Sequence, residues 1–136
     1  MKKTIFVLIM FLIPIVSCSN NSNKNEEYLE RGYEEIVSGD YNAALKYFNI
    51  AIEIDPQSVE AYNNRGLVLG IMGDYSSALQ DFNKSIQIDP DNAEAYKSRG
   101  ITKLHLNQKG AGCQDLTQAA KMGYPNGYDL VNEFCR

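Results

Sequence analysis

The sequence predicts an all-α protein, a stack of paired helices, and three observations carry that expectation. The tripeptide Gly39-Asp40-Tyr41 returns as Gly73-Asp74-Tyr75, 34 residues on. Arg31-Gly32, Arg65-Gly66 and Arg99-Gly100 keep the same step, as do Ala44 with Ala78 and Phe48 with Phe82. A repeat of this length is one small unit that cannot bury its own apolar face and is stacked until it can. Within the middle interval, Ala61, Tyr62, Gly66 and Leu69, then Ala78, Leu79, Phe82 and Ile86, recur mostly at steps of three and four, one buried stripe per helix. Finally, Asp55-Pro56 and Asp89-Pro90 break the chain just before Ser58 and Asn92, which stand where helix caps belong.

These signals divide the chain into units at 25–58, 59–92 and 93–126. The first helix of each is expected at about 26–38, 59–72 and 93–106, the second at about 41–54, 75–88 and 109–122. Gly39 and Gly73 suit the tight turn within a pair because glycine accepts a positive φ. Gly32, Gly66 and Gly100 are expected where the two helices of a unit meet at close range, answered by Ala44 and Ala78 from the facing helix. A larger side chain there would overpack the contact at a cost of ~1–3 kcal/mol. Arg65 and Arg99 stand a constant 16 residues before Asp81 and Asp115, a spacing that suits ion pairs of the exposed kind, worth about 0–1 kcal/mol each.

The interval and the placement of small residues resemble the tetratricopeptide repeat (TPR). In the second unit Tyr62, Gly66, Tyr75, Ala78, Phe82 and Pro90 all match the family pattern. The third unit departs from it, with Asn107 for the turn glycine, Lys109 for the aromatic, Gly112 for the alanine, Leu116 for the Phe and Tyr124 for the Pro. Its second half, from Ala119 to Tyr124, looks like the shorter Sel-like helical repeats, and terminal repeats are commonly atypical. The resemblance implies a right-handed α-solenoid of three helix–turn–helix units over 26–135, in a family that binds other proteins and performs no chemistry itself. Residues 126–135 read as a capping helix, with Leu130, Val131 and Phe134 covering the end of the stack.

The same resemblance implies a concave face built by the first helix of each unit. Its peptide groove would take Leu29 and Tyr33 from unit one, Asn63, Asn64 and Leu67 from unit two, and Lys97, Ser98, Ile101 and His105 from unit three. Glu26, Glu60 and Glu94 repeat at the second place of the units. Such a face could take an extended segment or an amphipathic helix. A variant of the family clamps peptide C-terminal carboxylates with Lys and Asn. Leu29 and Tyr33 occupy two of the places it needs, so no clamp is expected. The alternative for any one of these side chains is a solvated, partly buried helix face.

The start of the chain has a different character. Lys2 and Lys3 precede an apolar run from Ile5 to Val16, twelve residues interrupted only by Pro14. As a helix that run reaches about 18 Å, short of a ~30 Å hydrocarbon core, so residues 1–17 read as a secretory signal, with a short hydrophobic anchor as the alternative. Ile15-Val16-Ser17-Cys18 resembles the lipobox of bacterial lipoproteins, with Ile15 where leucine is usual. This implies cleavage before Cys18, a diacylglycerol thioether on Cys18 and acylation of its amino group. Several acyl chains hold a protein stably on a membrane where one does not. Ordinary secretion, with Cys18 free or disulfide-bonded, is the alternative. Residues 18–25 then form the lipidated cysteine and a flexible tether, since Ser19 to Asn25 carry no apolar residue. Seven extended residues reach at most about 25 Å, which keeps the fold close to the membrane.

Processing at Ser17 would leave 119 residues with 11 Lys and Arg against 17 Asp and Glu, a formal charge of −6. An acidic module of that kind is a poor match to nucleic acid. Cys113 and Cys135 fall on helices expected to run antiparallel around a turn at Gly123–Asn126, which brings them side by side for a disulfide in an oxidising compartment. The alternative is two buried thiols. His105 is the single histidine and no nucleophile motif, phosphate loop or metal-ligand cluster stands out, so the expectation is no enzyme, no metal and no cofactor. The sequence thus points to a lipid-anchored interaction protein, a scaffold or assembly factor, of the bacterial cell envelope. The outer membrane or the periplasmic face is its expected place. A structural or surface lipoprotein without a groove-bound partner is the alternative. Nothing seals the start of helix 26–38, which leaves a homodimer through that end open.

Overall fold

A computed structural model describes the backbone of residues 17–136 and the side chains from Ser22 onward. The helices run α1 (Ser17–Ser38), α2 (Tyr41–Ile54), α3 (Val59–Ile71), α4 (Tyr75–Ile88), α5 (Ala93–His105), α6 (Lys109–Lys121) and α7 (Gly127–Phe134). Helices α1 and α2, α3 and α4, and α5 and α6 pack as pairs; α2 on α3 and α4 on α5 join the pairs into one stack, with α7 against α6. The expected all-α repeat array is the observed fold, and six helix bounds lie within a residue of the sequence reading. Of the expected signal segment 1–17, residues 1–16 lie outside the described residues, and so does the side chain of Cys18.

One boundary differs. Among the described residues α1 spans Ser17–Ser38, so residues 18–25 are helical where the sequence suggested a flexible tether. Asn25 explains the inner part of this: it is buried, and its Nδ2 donates to the Ala51 carbonyl at 2.8 Å. A helix packed from there on extends cheaply toward its start, because propagation lacks the cost of nucleation.

The turns follow from residue chemistry. Gly39 and Gly73 both have φ 85°, and Asn107, in the glycine's place in the third unit, holds the same left-handed region at φ 59°. Asparagine tolerates that region better than other side chains, so the turn survives the substitution. Ser58 and Asn92 accept hydrogen bonds from the Ala61 and Ala95 amides at 3.2 and 3.1 Å, as their positions suggested. Two caps escaped the sequence reading. Asp40 accepts from the Ala43 amide and Asp74 from the Ser77 amide, at the starts of α2 and α4. The Ser77 hydrogen bonds hold the Asp74 carboxyl below its ordinary pKa.

Packing within each pair turns on a glycine. A Cβ on Gly32 would lie 2.4 Å from the Phe48 ring, and one on Gly66 2.9 Å from Phe82. The ring of each second helix therefore lies directly on the backbone of the first. Phe48, Ala44, Ala51, Leu29, Ala61 and Val68 form a buried cluster that spans the first two units. The third unit keeps the arrangement with other residues. Leu116 is shorter than the Phe it replaces, and the helices close the gap: a Cβ on Gly100 would meet the Gly112 carbonyl at 2.9 Å, and one on Gly112 the Gly100 carbonyl at 2.8 Å. The departures at 112 and 116 are thus coupled. Gly112→Ala, although it restores the residue of the other two units and improves helix propensity, should cost about 1–3 kcal/mol. Urea denaturation followed by circular dichroism checks this; a stabilised variant would mean that the two backbones can part freely.

The arginines join the units. Arg65 donates from Nε and Nη2 to both oxygens of Asp81 (2.8 and 2.6 Å) and from Nη1 to Asn49 of the preceding unit (2.7 Å). Arg99 repeats this with Asp115 (2.8 and 2.7 Å) and Asn83 (2.9 Å), and Lys103 adds a contact to Asp115 at 2.8 Å. Asp81 and Asp115 are only 4 and 6% exposed, so the expectation of surface pairs is corrected. The offset of 16 fixes the partners but does not by itself report their burial. In unit one the matching place is Tyr47, and Arg31 pairs with Glu27 on its own helix, exposed.

At the far end, Cys113 and Cys135 are joined by a disulfide, with Cα atoms 5.7 Å apart and a separation of 22 residues. Closing such a loop stabilises by roughly 3 kcal/mol in the chain-entropy account. Lys109 Nζ donates to the Arg136 carbonyl at 3.0 Å, and Gly127 sits against the Ala120 backbone. Leu130 and Val131 are partly buried, while Phe134 stays 39% exposed and does not seal the end as expected.

Candidate functional site

The first helices α1, α3 and α5 line up along one side of the stack, α1 touching α3 and α3 touching α5. Two hollows lie between them. The larger, about 260 Å³, opens between α3 and α5, and its walls are Leu67, Ile71, Ile101, Lys97, Ser98 and His105, with Gly66, Gly70, Thr102 and Phe82 deeper in. Tyr75, the first residue of α4, closes one end, its ring stacked on His105 with centroids 4.7 Å apart and planes within 4°. The smaller hollow, about 180 Å³, lies between α1 and α3 and is bounded by Glu26, Leu29, Glu30, Tyr33 and Glu60.

The residues read from the sequence as a groove do not all stand in it equally. Leu67, Lys97, Ser98, Ile101 and His105 share the larger hollow, and Leu29 and Tyr33 share the smaller. Leu29, however, is 6% exposed and belongs to the core cluster. Ser98 is buried as well. Asn64 is buried and accepts a hydrogen bond from the Tyr33 hydroxyl at 3.1 Å. Its Nδ2, and the Oδ1 of Asn63, are buried without a partner. Among the large apolar side chains left exposed, Tyr33, Leu67 and Ile71 border the two hollows, at 44, 43 and 50%. Large apolar side chains left this open along one face mark a contact surface.

Charge is unevenly spread along the face. Lys97 reaches Glu94 at 2.5 Å and lies 5.3 Å from the centre of the Tyr124 ring. Burial works against its charge, but the hydrogen bond and charge of Glu94, with Tyr124 alongside, hold its pKa above the ordinary lysine value. The smaller hollow carries Glu26, Glu30 and Glu60, none of which makes an ion pair among the described residues. Tyr75 and Thr102 were not foreseen in the groove. Tyr75 comes from a second helix, and the signal that could have found it is its place at the turn, facing the C-terminal end of α5.

The pattern described as "Tetratricopeptide repeat" matches residues 59–92, and that described as "TPR repeat" matches residues 32–70. Together with the paired helices, this decides the family. The chain is a tetratricopeptide repeat protein. No curated protein matches the sequence. Among solved structures the TPR fold is similar to the Arabidopsis OM64 TPR domain, with TM-score 0.79 and 23% identity over 83% of this chain and 94% of that one. It is similar also to the first TPR of Spaghetti (RPAP3) bound to the HSP90 peptide SRMEEVD, with TM-score 0.79 and 19% identity over 83% and 91%. A third, the Thermobaculum terrenum O-GlcNAc transferase, has TM-score 0.77 and 22% identity over 82% of this chain, but only 22% of the enzyme is covered. These likenesses establish the fold. TPR units are protein-interaction modules.

Proposed function

We propose that this TPR protein is a lipid-anchored interaction module of the bacterial cell envelope, a scaffold or assembly factor that holds a segment of a partner protein in the groove on α1, α3 and α5. The observation that carries the reading is the open hollow between α3 and α5, walled by Leu67, Ile71 and Ile101 and stiffened by the Tyr75–His105 stack. Concave, mostly apolar clefts with a few polar groups are where proteins take ligand side chains. The Spaghetti domain, similar in fold, carries a peptide, which lends the reading support. The anchor rests on the lipobox-like Ile15-Val16-Ser17-Cys18 and the apolar run before it. A structural or surface lipoprotein that leaves the groove empty is the second reading, favoured by the acidic balance of the chain.

One experiment addresses both parts. Cells grown with a radioactive fatty acid should label the protein, and Cys18→Ala should remove the label. Crosslinking in the native envelope should then recover a stoichiometric protein partner, with recovery reduced about tenfold in Leu67→Ser/Ile101→Ser, which removes apolar contact of hot-spot size. An unlabelled wild type ends the lipoprotein reading. Equal recovery with the double variant moves the site off the groove.

A further inference from the structure

The groove has two chemically different ends and a polar stretch between them, and this combination specifies its occupant. We propose that it selects an extended segment of a partner protein that places an apolar side chain between α3 and α5 and, about five residues away, a lysine or arginine between Glu26, Glu30 and Glu60. This rests on the reading of the groove as the binding face.

The apolar end offers Leu67, Ile71 and Ile101 around about 260 Å³, room for a branched aliphatic or an aromatic side chain. Its one lysine, Lys97, is already neutralised by Glu94, so this end does not attract a carboxylate. The other end gathers Glu26, Glu30 and Glu60 about Tyr33, and no described cation balances them. Glu27 and Glu94, by contrast, each hold a cation. Three like charges around one hollow favour a basic side chain and repel an acidic one, which sets partner choice and encounter rate more than total affinity. A peptide such as SRMEEVD, held by the Spaghetti domain, would bring two glutamates and an aspartate to this face against one arginine.

The stretch between the ends argues for an extended backbone. Glu60, Asn63, Asn64, Leu67 and Ile71 follow at steps of three and four along α3 and so share one face. Asn63 Oδ1 and Asn64 Nδ2 stand there as an acceptor and a donor, both buried and unpaired. Buried polar atoms without partners are uncommon in folded proteins and call for an explanation. An extended segment presents a free N–H and C=O at each residue, the complement of this pair, whereas a helix has used its own. Tyr33, half-exposed and bonded to Asn64 Oδ1, borders this stretch. The hollows are offset by about nine residues along α3, or ~13 Å, and by one interhelical spacing of ~9 Å, giving about 16 Å between them. At ~3.3 Å per residue that is about five residues of extended chain.

The test is selection of a phage-displayed library of random dodecapeptides on the full chain, purified in detergent, with Leu67→Ser/Ile101→Ser as the subtractive control. Circular dichroism confirms that each variant keeps its helices. Enriched peptides should carry Lys or Arg four to six positions from an aliphatic or aromatic residue. The best of them, made synthetically and labelled, should bind Glu26→Gln/Glu30→Gln/Glu60→Gln about five- to tenfold more weakly in fluorescence anisotropy, as three mostly exposed charge contacts allow. Peptides that are lost on the control variant but show no basic residue, or show acidic ones, overturn the proposed selectivity and leave the groove reading intact. Equal enrichment on wild type and control variant overturns both.

Discussion

Phe48→Ala should destabilise the protein by about 3–5 kcal/mol, one of the two largest effects expected of a single side chain here. Phe48 is fully buried, and its ring lies against the bare backbone at Gly32, with Tyr33 edge-on at 6.3 Å between centroids. The lining cannot collapse into the space left behind, because its other members include Ala44, Ala51 and Ala61, which have no length to spare. The cost therefore includes the cavity as well as the lost transfer of the ring. A stack of units couples mainly to nearest neighbours, so the damage should be local. Hydrogen exchange should rise through α1 and α2 while α4 to α6 stay protected, and the urea midpoint should fall. Uniform loss of protection across all three units would mean that the array unfolds as one body. Leu116→Ala, at the same place in unit three, should cost less, since Leu116 is smaller and Gly100 and Gly112 already touch.

The sequence reading placed the close approaches at Gly32 and Gly66 because the determinants are local and repeat, but it named Ala44 and Ala78 as the facing residues where the Phe48 and Phe82 rings lie nearest. The glycine–alanine notches recur at one interval, and Ser58, Asn92 and the Asp-Pro pairs mark the boundaries, so helix phase could be read directly. Residues 18–25 carry no apolar residue to mark a helix, and the contact of Asn25 with the Ala51 carbonyl, across 26 residues, is not a local signal. The groove was legible as a face but not as depths. Leu29, Asn64 and Ser98 occupy groove positions yet are buried, while Leu67 and Ile71 on the same face stand open. Which side chains form floor and which form wall depends on how closely the units approach, and that distance is set by side chains elsewhere in the stack. The disulfide was legible for a simpler reason: two helices around a short turn leave Cys113 and Cys135 opposite each other.

Burial is also what separates a salt bridge worth little from one whose loss is severe, and Asp115 shows how. Asp115→Ala should cost about 3–4 kcal/mol, near the range for removing one partner of a buried pair. The carboxylate is 6% exposed and takes both Arg99 donors and Lys103 Nζ. Without it, two cations that are themselves mostly covered face each other with no counter-charge, and the inter-unit bond from Arg99 to Asn83 loses the brace that aims it. Arg99→Ala should cost less, about 1–2 kcal/mol, because Asp115 keeps Lys103 and remains paired. This asymmetry follows from one acid serving two bases, and a surface pair would not show it. Urea denaturation of both single variants and the double variant, at low and at high salt, checks the claim. The coupling should persist at high salt, since burial limits screening. A cost for Asp115→Ala below about 1 kcal/mol that vanishes in salt would place the pair with ordinary exposed ones.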